Sequence, residues 1–368
     1  SSDVCSSDLQ VFMALSVLTF AMHIFAVQLM LGASGVTIWG AFSKTDHARH
    51  LGLSMLNVAK IAVSVAIVLG VAPLLFVQVI YDPFWYTANV LSARWVIGFL
   101  VFLIAAYLAM YFYYFRNYDA DPLAPRRSTW SIIVSILLML VVGSIMHMLT
   151  REMLFPEEWK AWYAPGGDID PSGSNFKAFS LFRFAFFIMM AVPVVGAWLV
   201  AFRHYFSIRA DVDGDYLDFV GALGRKLSIV GTVVVVLLGI GWMMTLPEKV
   251  AGFATSIWVW IAAAGLIASG LVAAMDRGRT AAWALFAPVA GFVAGLLIAV
   301  SREALRYSIL YGVHDYDAMT YKLNISLYST ALFFGTFAIV GGLVLSYLIG
   351  VVWNAGRTQG AYTPGPVL

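Results

Sequence analysis

Charged residues in this chain fall in clusters, and the stretches between them stay apolar for twenty residues or more. Nine such stretches stand out, at roughly 19–43, 52–80, 92–115, 129–150, 181–202, 227–246, 254–275, 280–301 and 326–353. A helix of about 20 residues rising 1.5 Å per residue spans the ~30 Å hydrocarbon core of a bilayer, so each can cross it. The apolar runs are continuous rather than alternating, which excludes a transmembrane β-barrel. No internal repeat and no low-complexity run interrupts them. The pattern predicts an all-α polytopic membrane protein with about nine transmembrane helices. They form a single helical domain over residues 10–353, with a cytoplasmic tail over 354–368.

Composition agrees. Hydrophobic residues make up 61% of the chain and charged residues 11%, with a mean hydropathy of +0.86, a balance no soluble globular chain of this length has. The formal net charge of +2 gives no case for nucleic acid as a partner; the lipid bilayer is the expected surroundings. The one cysteine, Cys5, lies in the polar opening SSDVCSSDL, which fits nothing after it. Residues 1–9 read as a non-native artefact, of the kind left by a sequencing adapter, and are set aside from fold reasoning. The chain therefore carries no disulfide, no thiolate metal site and no C-x-x-C-H for covalent haem, and any haem would be b-type.

Lysine and arginine orient the spans. With the N-terminus outside, the cytoplasmic side holds Lys44, Arg49, Arg116, Arg126, Arg127, Arg203, Arg209, Arg225, Lys226, Arg277, Arg279 and Arg357. The outer side then holds Arg151, Lys160, Lys177, Arg183, Lys249, Arg302, Arg306 and Lys322, mostly in the two longest loops, which count least in the positive-inside rule. Trp39, Trp85, Trp130 and Trp353 fall near predicted helix ends, as an aromatic belt would place them. In this orientation His23 in the first span and His147 near the end of the fourth share one depth, close to the outer face. An ionisable group inside a membrane helix marks a functional site by default, because burying it costs free energy unless something binds or pairs with it. Gln78 and Tyr81, Arg94, Arg183, and the group Arg302, Glu303 and Arg306 fall on the same side. Such a set offers axial nitrogens and propionate-binding cations to a haem, or hydrogen-bond donors to a quinone head.

The stretch LTFAMHIFAVQLMLGAS, with His23, Phe25, Val27, Leu29, Leu31, Gly32 and Ser34, resembles the first helix of the catalytic subunit of cytochrome bd quinol oxidases. The second span continues the likeness: Gly70-Val71-Ala72 is followed by Gln78, where the family has a glutamate, and then by the aromatic stretch PFWYTAN. A nine-helix layout with the N-terminus outside also matches that subunit. The resemblance implies a high-spin b haem on His23 and a quinol site at the outer face.

The departures narrow that expectation. The third span lacks the acidic residues that the oxidases use at their oxygen-reducing haems. Phe186 stands where the low-spin haem's histidine would align, and the seventh span offers only Met275, at its end. The quinol loop shrinks to Pro247–Ala251, and SREALRYSILYG replaces the Gly-Arg-Gln-Pro-Trp signature. The chain is thus similar to the bd-like branch that lacks dioxygen chemistry. The expected function is a respiratory membrane subunit in a bacterial inner membrane, exchanging electrons between quinol and an extracytoplasmic cytochrome. His23 and His147 would hold haem b iron or the quinone ring, and Arg94 and Arg183 would help bind the cofactor. Arg302, Glu303, Arg306 and Gln78 would serve the reaction.

Other signals have plainer readings beside the chemical ones. Lys60 snorkels toward the cytoplasmic face, and His47, His50 and His204 sit in or beside loops on that side. His314 with Asp315 and Asp317 is a solvated loop before it is a metal site. DVDGDYLD at 211–218 has its glycine at the wrong position for a calcium loop and reads as a charged turn. The 151–180 loop, with two tryptophans and a Gly/Pro/Ser-rich second half, is a docking surface for a periplasmic c-type or multihaem cytochrome, or else a lid. Two other functions stay open: a non-catalytic anchor for a multihaem cytochrome, and a transporter or channel.

Overall fold

The computed structural model describes residues 2–209, 211–276, 278, 282–317 and 327–355. Of the expected tail over 354–368, residues 356–368 lie outside the described residues, as do the charges Arg277, Arg279, Lys322 and Arg357. Among those residues the secondary structure is helical throughout: α1 (Ser2–Phe42), α2 (Asp46–Ile80), α3 (Asp82–Leu91), α4 (Ala93–Asn117), α5 (Thr129–Glu152), α6 (Trp159–Tyr163), α7 (Leu181–Met189), α8 (Ala191–Phe206), α9 (Gly214–Met244), α10 (Ile257–Ala274), α11 (Phe286–His314), α12 (Leu327–Thr336) and α13 (Gly342–Ala355). Eight helical stretches are long and apolar enough to cross a membrane, with α7 and α8 together forming one of them. The protein is a polytopic helical membrane protein.

The ninth apolar stretch is built differently. A five-residue π segment, Phe337–Gly341, joins α12 to α13, and the apolar part over Ala338–Val352 is shorter than the other spans. Leu343, Val344, Leu345 and Leu348 are exposed, and Tyr205 Oη donates to the Val352 carbonyl at 2.6 Å. This stretch lies at the edge of the bundle.

At the centre is α1, which packs on α2, α5, α8 and α11. Lipid tails are as apolar as leucine, so helices in a bilayer associate by close packing of small residues more than by hydrophobic exclusion. The α1–α2 contact shows this: a Cβ built on Gly40 would fall 2.7 Å from the Gly52 Cα and 2.5 Å from the Ala48 carbonyl oxygen. Any side chain there would force the backbones apart. By contrast, α4 turns Ile97, Leu100, Val101, Ile104 and Leu108 outward, where the bilayer solvates them.

Two element boundaries differ from the sequence expectation, each for a physical reason. The fifth span kinks at Met190, three residues before Pro193, whose ring removes the amide that would bond the Met189 carbonyl. Bonds from Met190 N to Phe186 O and from Val194 N to Met190 O carry the helix across, so no run of carbonyls is freed. The eighth span does not stop at residue 301. It continues as α11 to His314, a 29-residue helix of ~43 Å, and places Arg302, Glu303 and Arg306 inside it. Ile298, Ala299, Glu303, Arg306, Ile309 and Leu310 form one buried stripe at helical spacing. The charges are members of the buried face rather than a terminus.

Candidate functional site

The face of the bundle that carries the 151–180 loop, called here the loop face, gathers most of the ionisable groups anticipated from the sequence. His23 sits on α1 with its Nδ1 2.8 Å from the Ala66 carbonyl of α2. Only glycine at position 70 permits this, since a Cβ there would lie 2.9 Å from His23 Cε1 and 3.0 Å from Nδ1. With Nδ1–H donating to a backbone carbonyl, the tautomer is fixed and Nε2 is left as the acceptor. One helical turn earlier on α1, Phe20 receives the Arg302 guanidinium at 3.6 Å from its ring centroid.

Arg302 also stands 3.8 Å from the Glu303 carboxylate, and so connects the surroundings of His23 to a buried ion network. Glu303 Oε1 accepts from Tyr81 Oη at 2.6 Å, and Oε2 accepts from Arg306 Nη1 at 2.9 Å. The Arg306 guanidinium lies 5.1 Å from the centroid of the Tyr81 ring. Glu303, Arg306 and Tyr81 are all buried. Arg183 on α7 is buried as well, and is near enough to Arg302, Arg306 and Arg151 to feel their charges. Arg302 and Arg306 thus share the Glu303 carboxylate, while Arg183 turns to Thr150 Oγ1 and Arg151 lies over the Phe155 ring. The Nε atoms of Arg302 and Arg151 are buried without a hydrogen-bond partner. Buried unmatched cations are costly, and such groups persist where an anion or an acceptor completes them.

The structure divides the remaining expected residues. Gln78 is exposed, because the buried positions of α2 at this end are Val77, Ile80 and Tyr81, and position 78 turns away from them. Tyr81 is therefore the contribution of α2 to the cluster. Arg94 has an exposed side chain; only its amide is engaged, donating to Gly173 O at 3.0 Å. His147 is buried, but its Nε2 accepts the Ser180 amide at 3.2 Å and its Nδ1 lies 3.5 Å from Arg183 Nη1. Phe179 and Phe184 flank its ring at 5.1 and 5.5 Å. His147 holds the end of the loop to α7, and neither ring nitrogen is left for iron. A bis-histidine haem on His23 and His147 does not fit this arrangement.

No match is found among protein-family models or among curated protein sequences.

One functional candidate was not anticipated. Glu152, fully buried at the end of α5, accepts from Ser92 Oγ at 2.7 Å and from the Asn175 amide, with no cation at ion-pair distance among the described residues. Ser92 Oγ also lies 2.9 Å from the Asn175 carbonyl, and Trp159 Nε1 donates to the Glu152 carbonyl at 2.9 Å. These bonds stitch the 151–180 loop to the α3–α4 junction. A signal was present in the sequence: Ile145, Met148, Leu149 and Glu152 follow one helical stripe. The loop itself contains a 3₁₀ turn, Pro156–Glu158, followed by α6, and its Glu157 pairs with His314 at 3.2 Å. His314 is the last residue of α11 and is tied to the loop rather than solvated. On the opposite face, Asp213 caps α9 by accepting from the Asp215 amide and Asp211 pairs with Arg209, the charged-turn reading of that segment.

Proposed function

We propose that the loop-face cluster is the quinol site of a respiratory electron-transfer subunit, with the N-terminus outside a bacterial inner membrane. One observation carries the reading: a buried Tyr81–Glu303–Arg306 network, extended by Arg302 to Phe20 one helical turn from His23, holds more positive charge than its single carboxylate balances. A quinol or quinone head needs hydrogen-bond donors and a proton acceptor at interfacial depth. Arg302 and Arg306 supply the donors.

Oxidising a quinol to a quinone releases two electrons and two protons. Glu303 is the group placed to take a proton, at the carboxylate oxygen that now accepts from Tyr81. Tyr81 Oη holds that carboxylate in place. The electrons leave to an extracytoplasmic cytochrome docked on the 151–180 loop, whose exposed tip carries Glu157, Glu158, Asp168 and Asp170. Haem b would be held by His23, through the free Nε2, with Arg183, Arg302 and Arg306 for its propionates. Bound there, it would supply one-electron transfer between quinol and the partner.

A photoreactive quinone analogue, cross-linked to the protein in liposomes and mapped by mass spectrometry, tests the site. Label on α1 near Phe20–His23 or on α11 near Arg302–Arg306 is expected; label confined to other helices would overturn the reading. A reduced-minus-oxidised spectrum tests the haem. A b-type band lost in His23→Ala and kept in His147→Ala is expected. One observation favours the anchor alternative: the commitment of His147 leaves one histidine fewer for haem.

A further inference from the structure

A second membrane-embedded charge lies apart from the loop-face cluster and is used by none of its chemistry. Lys60 is in α2, and side chains on a helix lean toward its N-terminal end. For α2 that direction leads to the face where Arg49 and Arg126 lie and where α4 ends. The Lys60 ammonium rests 3.8 Å from the centroid of the Tyr114 ring, in the last turn of α4. No carboxylate is at ion-pair distance from Lys60 among the described residues.

Further along the same groove, Ser64 Oγ lies 3.3 Å from Tyr111 Oη. The Tyr107 and Tyr111 rings lie tilted against each other with centroids 4.5 Å apart. The groove between α2 and α4 thus presents an ammonium, a serine hydroxyl and two phenol hydroxyls in sequence, all partly open to the outside. Beside them, Ile61, Val65 and Val68 of α2 and Leu108 and Phe112 of α4 are exposed apolar side chains. An ammonium at the last turn of α4, with hydroxyls running inward from it beside exposed apolar side chains, matches an amphiphile lying along the helices.

Charge selects which amphiphile. The ring face of Tyr114 engages the ammonium on one side, and an ammonium has three donors. The missing partner is an anion with several acceptor oxygens. A zwitterionic lipid brings a phosphate with its own cation attached, so its net attraction to Lys60 is small. An anionic phospholipid brings the phosphate without that cation, and basic pockets between membrane helices are suited to such headgroups.

We propose that the α2–α4 groove binds an anionic phospholipid, with Lys60 on the phosphate oxygens and the Ser64 and Tyr111 hydroxyls on the remaining headgroup oxygens. Its acyl chains run along the exposed apolar residues. The test is native mass spectrometry of the full chain titrated with phosphatidylglycerol or with phosphatidylcholine of the same acyl composition. The tightest-bound lipid in the wild type is expected to be phosphatidylglycerol, retained about five-fold better than phosphatidylcholine. Lys60→Gln should abolish the preference and Lys60→Arg should keep it. Tyr111→Phe, a lipid-facing change that removes only a hydroxyl, should weaken retention about two-fold even if Lys60→Gln fails to fold. Equal retention of the two lipids by the wild type, an unchanged preference in Lys60→Gln, or unchanged phosphatidylglycerol retention in Tyr111→Phe would overturn the proposal.

Discussion

On each face of the bundle a buried carboxylate meets two arginines, and the two clusters treat the surplus charge differently. On the face opposite the loop, Asp276 is fully buried against Arg203, with Arg225 at 3.3 Å. The Arg225 side chain is 34% exposed, so the extra positive charge is solvated. On the loop face, the Arg302 and Arg306 side chains are only 10% and 4% exposed, and Arg183 is buried beside them. There the surplus is sealed inside the protein. The first arrangement clamps α8 and α9 to the segment just past α10. Both clusters hold buried polar atoms without a partner, Arg203 Nε and Asp276 Oδ1 in the first and Arg302 Nε in the second, but only the second keeps its surplus cation from solvent. Buried charge alone does not mark a site; buried charge without a local outlet does.

The largest expected effect comes from breaking the clamp. Asp276→Asn leaves Arg203 buried without its partner and should cost about 3–5 kcal/mol, read as a fall in thermal stability in detergent. Arg302→Gln sharpens the contrast by reversing the sign. It removes a surplus cation with an unpartnered Nε, and should leave the melting temperature equal or higher while quinol oxidation is lost. A destabilisation as large as that of Asp276→Asn would make the two clusters alike and both structural.

Smaller effects follow from single contacts. Gly70→Ala pushes a methyl group into the His23 ring and should cost about 1–2 kcal/mol through strain and the loss of the Ala66 bond. Any haem signal on His23 should shift or broaden with it. The smallest effect is at the loop tip. The Ser172 hydroxyl and amide hold the Asp170 carboxyl below the ordinary aspartate range. Its negative charge therefore persists as pH falls through the usual aspartate value and is lost only at more acid pH. Binding of a basic c-type cytochrome should weaken at a higher pH in Ser172→Ala than in the wild type, as measured by a salt-sensitive affinity titration.

The membrane spans could be read from the sequence because a continuous apolar run of twenty residues matches the thickness of a bilayer and exceeds what a soluble core usually buries in one helix. The site was legible only in part, for reasons that differ by residue. Arg302, Glu303 and Arg306 were identified as a group, but a hydropathy reading treats charge as the end of a span, and so placed them beyond a helix that in fact contains them. Gln78 and Tyr81 are three positions apart at the end of α2, and only the rotation of that helix decides that Tyr81 faces inward. His147 has the sequence profile of a ligand, but its ring is taken by the Ser180 amide, a contact made across a loop that no local pattern encodes. Glu152 follows an apolar stripe that could have been recognised, yet its partners Ser92 and Asn175 are far from it in the chain.

The most direct test of the sealed cluster is quinol turnover by the full chain in proteoliposomes, with a membrane-impermeant electron acceptor outside. The account predicts that the wild type oxidises a quinol analogue and that Glu303→Gln lowers the rate by about 10²-fold or more, the range expected for loss of a positioned proton acceptor. The Glu303→Gln protein should still bind the photoreactive quinone. Glu303→Gln turning over at the wild-type rate would contradict the account, as would a wild type that oxidises no quinol.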